Sequence, residues 1–420
     1  MKILFIHQNM PGQFGHLARR LAQSDGNEVV FLTQRQDRQL DGVQRIVYHP
    51  SRAPHPTTHH YLQQCEDAVL HGQAAARACL ERRGQGFTPD IVVAHPGWGE
   101  SLFVKDVWPG APLLNYGEFY YRVRGADVNF DPEFPSSFDA LCRLRARCAH
   151  LLLALEAADH TLCPTQWQKS LHPAAFRDRI SVIFDGVDTE LVSPAPNTRF
   201  TLPNGRVLTS QDEVVSFVSR TLEPCRGFHT FMRALPRLCA LRPRAQIVIV
   251  GGDGPGYGAL PSDGKTWRQR LSEEVAIDPA RVHFAGVVDY SAYLDLLRLS
   301  SAHVYLTIPF VLSWSMVEAM AAGCLVIGSN TAPVQEVIEP GRNGLLVDFF
   351  AVDELAETIA LALAERDGFA AMRHRARDTV IENYSLQVSL PRQLALIETM
   401  TGNPSAAGPR RAAMLAEAAR

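Results

Sequence analysis

Short apolar runs rich in β-branched residues alternate with amphipathic stretches along nearly the whole chain, and this alternation restricts the fold more than any other feature. Runs at 3–7, 29–33, 91–95, 113–116, 160–163 and 181–184 have the length and composition of strands buried on both faces. Residues 14–23 and 61–83 between them space their apolar residues as helices do. The second half repeats the pattern. Strands are expected over 214–219, 246–250, 282–284, 303–306, 325–328 and 345–347, and helices over 228–242, 267–275, 291–299, 315–322, 333–338, 353–366 and 385–400. Such repetition builds parallel sheets with helices on both faces, an α/β class of doubly wound domains. Residues 197–212 are polar and turn-rich, as a linker or a hairpin opening a second domain would be. The expected organisation is a first domain over 1–195, a second over 196–384, and a segment 385–420. In that last segment a helix crosses back to the first domain and an Ala- and Arg-rich tail, helical or frayed, follows.

Composition narrows the function. The 420 residues are 46% hydrophobic, with 41 Lys+Arg against 44 Asp+Glu and a net charge of −3. No basic excess calls for nucleic acid. Only Lys2, Lys105, Lys169 and Lys265 are lysines, so an anion site must be built mainly from Arg. Eight cysteines lack metal-ligand or redox spacing; Cys142 and Cys148, the closest pair, are six apart. They read as thiols of a reducing compartment. No stretch approaches the ~20 apolar residues that span a membrane, and the opening run is too short for the core of a signal peptide. The expected location is the cytoplasm, with contact at the inner face of the membrane where an acceptor is lipid-linked.

Three motifs mislead. Gly254-Pro-Gly256-x-x-Ala259 imitates a dinucleotide fingerprint, but the Leu-Pro-Ser-Asp that follows cannot open the required helix. Ala259 to Thr266 imitates a phosphate loop, yet eight residues separate it from the strand at 246–250 and Pro261 removes a donor. His55, His59 and His60 lie in a Pro-rich loop with no Cys or Asp beside them, so a solvated loop outweighs a metal site.

Two stretches carry chemistry. After the strand ending near Leu306 a polar turn leads to a helix that begins at Ser313 or Ser315 and holds Glu318-Ala-Met-Ala-Ala-Gly323. Free N–H groups in its first turn form an anion site, and Glu318 lies one turn further in. Ser219-Arg220-Thr-Leu-Glu-Pro-Cys-Arg226-Gly227 directly follows another parallel strand. Two Arg side chains six apart can clamp a pyrophosphate.

Together these stretches resemble glycosyltransferase family 4, whose GT-B architecture sets two Rossmann-like doubly wound domains facing a central cleft. The resemblance implies Arg220 and Arg226 on the donor diphosphate and Glu318 on the ribose. It also implies backbone N–H groups around Ser315, Met316 and Val317 on the phosphates, and backbone near Val287 on the base. In the first half Gly12 and Gly15 match the first-loop glycines. Asp90 to Glu100 resembles a sub-branch that puts His95 at a strand end, against the donor sugar. Asp185-Gly-Val-Asp-Thr189 resembles the family's segment near the domain junction. Glu118, Tyr120 and Arg122, in Tyr116-Gly-Glu-Phe-Tyr-Tyr-Arg122, are acceptor-side candidates, although domain packing is the readier account of that aromatic cluster. One departure stands out. The family carries E-x7-E, and the position eight before Glu318 is Phe310.

The implied activity is sugar transfer from a UDP- or GDP-type nucleotide sugar, with retention at the anomeric carbon. No metal and no cofactor are expected, and the acceptor is an unidentified small molecule, glycan or lipid-linked sugar. His95, Arg220, Arg226 and Glu318 are the expected catalytic set. A nucleotide-sugar epimerase or isomerase of the same fold, and a catalytically silent nucleotide-sugar-binding module, are the alternatives.

Overall fold

In a computed structural model, which describes residues 1–402, the apolar runs of the first half become seven strands. They are β1 (Lys2–Ile6), β2 (Glu28–Thr33), β3 (Val43–Val47), β4 (Ile91–Ala94), β5 (Leu113–Tyr116), β6 (His160–Cys163) and β7 (Ile180–Val182). All neighbours pair parallel, in the order β3-β2-β1-β4-β5-β6-β7. The expected Ala- and Arg-rich tail lies outside the described residues.

Alternate side chains of β1 feed two separate cores, which is why its sequence reads as one apolar run. Ile3 and Phe5 pack with Phe14, Phe31, Ile91 and Val93 on one face. Leu4 and Ile6 pack with Val30, Leu32, Val92 and Trp108 on the other. Burying each such side chain contributes about 1.5–3 kcal/mol relative to leaving it exposed. β3, which the sequence pattern did not reveal, is an edge strand in which only Val43 is buried. The helix Phe138–Ala157 also went unseen. It starts at Ser137, whose hydroxyl accepts from the Ala140 N–H at 3.2 Å, and leaves Phe138, Leu152 and Leu153 exposed.

The second half repeats the architecture. Its polar opening is a hairpin of β8 (Phe200–Thr201) and β9 (Val207–Leu208), anchored through Phe200, Leu202 and Leu208 to the core around Val214, Val248 and Leu296. Then come β10 (Val214–Thr221), β11 (Gln246–Gly252), β12 (Val282–Gly286), β13 (Ala302–Tyr305), β14 (Val326–Ser329) and β15 (Leu345–Val347). Their order is β12-β11-β10-β13-β14-β15, again all parallel. A helix over Ala370–Asn383 is a further element that apolar spacing did not disclose. Among the described residues no helix is long and apolar enough to cross a membrane.

The chain divides into two compact units, residues 1–185 with the chain from Ser389 onward, and residues 186–388. The first break falls ten residues before the 195/196 boundary expected from the polar stretch. Residues 186–195 belong to the second unit because two arginines hold their carbonyls. Arg377 reaches Thr189 O and Val192 O, each at 3.0 Å, and Arg298 reaches Leu191 O at 2.6 Å and Ser193 O at 2.9 Å. The helix Leu386–Thr401 begins in the second unit and ends in the first. There Ile397 joins the Ile3 core, and Arg392 and Gln393 bond Val182 O and Phe184 O.

Arg377→Leu leaves three carbonyls without their donor, since Arg377 also reaches Ala321 O. The expected loss is about 2 kcal/mol, the scale of bonds from a charged donor. Urea denaturation of the second unit, followed by its own fluorescence probe, measures it; an unchanged midpoint would dismiss Arg377 as the anchor.

Candidate active site

Parallel order reverses between β1 and β4 in one unit and between β10 and β13 in the other, and ligands on such sheets bind where that reversal opens a crevice. The candidate residues cluster in the loops at these two places.

In the first unit β1 delivers His7 and β4 delivers His95, with ring centroids 4.8 Å apart. Both are buried, His95 to 4% exposure. Gly97 N–H donates to His95 Nδ1 at 3.1 Å, so the His95 proton sits on Nε2. Asn9 N–H donates to His7 Nδ1 at 2.9 Å, and His7 Nε2–H therefore donates to Gln13 Oε1 at 2.8 Å. The Gln13 amide then donates to Glu118 Oε1 at 2.7 Å. Glu118 Oε2 stands 3.4 Å from His95 Nε2, which has no formed hydrogen bond. Burial, with the His95 ring beside it, pushes His7 down to about 3, so it stays neutral. Burial alone would raise the Glu118 carboxyl, but His95, His7 and Gln13 hold it below the usual carboxylate range. His95, Glu118 and Tyr120 line one cavity, walled by Tyr116, Phe119 and His172.

The first-loop glycines have local reasons. Gly12 has φ +51°, and a Cβ there would run into the His7 ring. A Cβ at Gly15 would come within 3.3 Å of Pro11. Arg122 departs from its expected place on the acceptor side. Its guanidinium is spent on Leu171 O at 2.5 Å and His172 O at 3.1 Å, closing the end of the helix Gln166–Leu171.

In the second unit Arg220 is exposed and has no side-chain partner among the described residues. Arg226 is half-buried. Its Nη1 donates to Thr307 Oγ1 at 3.1 Å and Val311 O at 2.9 Å, and the guanidinium lies 5.3 Å from the Phe310 ring centroid. Phe310, where the family has a carboxylate, is buried and packs on Tyr257 with centroids 4.0 Å apart. The loop carrying Tyr257 is itself tied to Glu223, which accepts from Tyr257 N–H at 2.7 Å and Gly258 N–H at 2.8 Å.

The helix Trp314–Ala321 is capped by Ser313. Ser315 N–H reaches Ser313 Oγ and Met316 N–H reaches Ser313 O, both at 3.3 Å. The side chains of Ser315, Met316 and Val317 are buried, so only their backbone can meet a ligand, and these long bonds yield to a better acceptor. Glu318 accepts from Tyr290 Oη and Tyr293 Oη, each at 2.6 Å and each on a different carboxylate oxygen. Val287, just past β12, is 81% exposed.

The structure thus adds His7, Gln13, Tyr290 and Tyr293 to the set. The two tyrosines had a signal, an i, i+3 aromatic pair opening a helix. His7 and Gln13 had none beyond their position after a buried strand.

Two family models match the chain. One described as a glycosyl transferase family 4 group covers residues 25–192, and one described as glycosyl transferases group 1 covers 202–380. The D-inositol 3-phosphate glycosyltransferase of Corynebacterium glutamicum is 32% identical over 67% of this chain and 65% of its own length. A GDP-mannose-dependent α-(1-6)-phosphatidylinositol monomannoside mannosyltransferase of Mycobacterium tuberculosis is 31% identical over 51% of this chain and 55% of its own. The chain therefore spans about half to two thirds of these relatives. HepE of Anabaena, solved in complex with UDP-glucose, shares the fold at a TM-score of 0.66 and 17% identity, over 95% of this chain and 100% of its own. With its first half matched by the family 4 group model, its second by the group 1 glycosyltransferase model and both built as parallel doubly wound units, the chain belongs to glycosyltransferase family 4 and has the GT-B fold of two Rossmann-like domains.

Proposed function

We propose that the protein is a retaining glycosyltransferase that moves a sugar from a nucleoside-diphosphate sugar to a hydroxyl acceptor without a metal. The observation that carries this reading is the anion site of the second unit. There Arg220 is unpaired, Arg226 is braced by Thr307 and Val311, and a capped helix N-terminus follows β13. These positive groups take the charge of a departing diphosphate, the task that a divalent cation performs elsewhere. Phe310 supports it. A carboxylate there would neutralise Arg226, whereas the aromatic face favours the cation and leaves its full charge for the phosphates. Relatives that use GDP-mannose or act on inositol phosphates, and a fold neighbour solved with UDP-glucose, support the same donor class.

Glu318, with both oxygens held by tyrosines, keeps further lone pairs for the ribose hydroxyls. In the reaction the bond from the anomeric carbon to the phosphate oxygen breaks and one to the acceptor oxygen forms on the same face. The acceptor proton leaves on the diphosphate. An acceptor with a lipid-linked headgroup would bring the protein to the inner membrane surface.

A panel of UDP, GDP and their sugars tests the donor site by thermal shift. A ligand at 100 times its Kd stabilises by about 2.7 kcal/mol, and Arg226→Ala should abolish that gain. Equal shifts in wild type and variant would sink the assignment. Added chelator should leave turnover unchanged, and product NMR should show the donor's anomeric configuration; inversion or metal dependence overturns those parts. Interconversion of the donor with no acceptor would instead favour an epimerase.

Removing either tyrosine hydroxyl should loosen Glu318. Tyr293→Phe, at the buried end of the pair, should weaken nucleotide affinity about three- to tenfold, the net worth of one ordinary hydrogen bond. Isothermal titration with the preferred nucleoside diphosphate reads it.

A further inference from the structure

The cavity of the first unit reaches past Glu118 to residues of β5 and β6 and to the helix Phe138–Ala157, which contributes Leu151 and Leu155 to its wall. Asn115 on β5 also lines it and is 1% exposed. Asn115 Nδ2 donates to Ala154 O at 2.8 Å, and because a carbonyl can only accept, that bond fixes which way the amide points. Asn115 Oδ1 is left buried and makes no hydrogen bond among the described residues. His172 lines the same cavity. Its Nδ1 donates to Gln168 O at 3.1 Å, which leaves Nε2 as an acceptor. Burial pushes the ring down to about 4, so it stays neutral. A Cβ at Gly117 would stand 2.9 Å from that Nε2 and 2.7 Å from Thr161 Cγ2, so the space beside the ring exists because position 117 is glycine.

A buried acceptor left unmade costs stability, and only a donor can satisfy it. Around it Tyr116, Phe119, Leu151 and Leu155 present mainly carbon, the Tyr116 hydroxyl being committed to Asp185 at 2.6 Å. The cavity measures about 40 Å³. A water-sized group needs ~10–15 Å³ of such space, so about three heavy atoms fit. Resting on the transferase reading, we propose that this cavity is an acceptor subsite for a short apolar substituent that ends in a hydrogen-bond donor, received by Asn115 Oδ1. The nucleotide finds its cations on the second unit, which leaves this cavity to the other substrate. The donor is an amino or a hydroxyl group, and His172 Nε2 offers an amino group a second lone pair. A substituent ending in an ether or a carboxylate brings only lone pairs to Asn115 and is refused. Acceptor choice is thereby made at an end of the molecule that takes no part in bond making.

The full-length protein with leucine methyl groups labelled by carbon-13 reads occupancy without any activity. Leu151 and Leu155, assigned by loss of their signals in Leu151→Ile and Leu155→Phe, should shift saturably with 1-propanol or propylamine. Ethyl methyl ether, equal in heavy atoms but without a donor, should need about tenfold higher concentration. In Asn115→Leu, close in volume, that preference should vanish or reverse. Leu155→Phe, which fills the cavity from the helix, is the second variant should the first not fold; it should weaken all three probes about tenfold or more. The tighter of alcohol and amine names the donor. Equal affinity for ether and alcohol in the wild type overturns the donor requirement, and the absence of any saturable shift, a cavity holding water only, overturns the site. Bound 1-propanol should also keep attacking water from the acceptor edge and slow hydrolysis of the nucleotide sugar about threefold or more, with the Kd of the bare nucleoside diphosphate unchanged. An unchanged rate overturns the acceptor assignment. A wild type that neither binds nor hydrolyses any nucleotide sugar defeats the transferase reading, while the titrations still decide the cavity.

Discussion

Hydrogen bonding between parallel strands forces each connection to return over a face of the sheet, and so it delivers every strand's carboxyl end to the same edge. In both units of this chain the consequence is the same. Helices cover the two faces, the central strands are mostly apolar, and the polar side chains of the site stand where strands stop. His7 and His95 come within 4.8 Å because β1 and β4 are hydrogen-bonded neighbours, although 88 positions separate them. The register that pairs Ile6 with Ala94 places the next residue of each strand side by side. Arg226 meets Thr307 and Val311 for the corresponding reason, since β10 pairs with β13.

The two units treat charge differently. The second gathers cations on an open edge: Arg220 exposed, Arg226 braced, a helix N-terminus behind them. Phe310 packs against Arg226 without neutralising it. Exposed and half-buried guanidinium groups hold their charge at little desolvation cost, and they can give it to an anion when water leaves. The first unit instead sets the half-buried Glu118 carboxylate among the His7 and His95 rings and an amide. A near-zero net charge for the whole chain is compatible with both, because neither device depends on the long-range field.

Strands buried on both faces were legible because each position must be apolar, and β5, β6 and β15 begin and end where the composition changes. β3 was not, since an edge strand with one buried side chain has no such constraint. The helix Phe138–Ala157 hid behind exposed Leu152 and Leu153, which blur an apolar stripe. Polarity at 197–212 announced the hairpin that opens the second unit. Residues 186–195 join that unit through Arg298 and Arg377, which act across more than 100 residues of sequence. In the site, Arg220, Arg226 and Glu318 stood out from their places after strands, and His95 from the family resemblance. Their partners did not. Gln13 was missed because a turn bends it back between His7 and Glu118, and the two carbonyls that hold Arg122 left no mark in the sequence either. Side-chain commitment of this kind arises only when the chain has folded.

The Glu118 network also bears on why a carboxylate should stand beside two histidines at all. A carboxylate must remain ionised in a half-buried cavity, and burial opposes it. The His95 ring 3.4 Å away offsets that opposition most, and His7 and the Gln13 amide add to it. The two rings are in turn held by backbone N–H groups just past their own strands, so the position of the carboxylate follows from the pairing of β1 with β4.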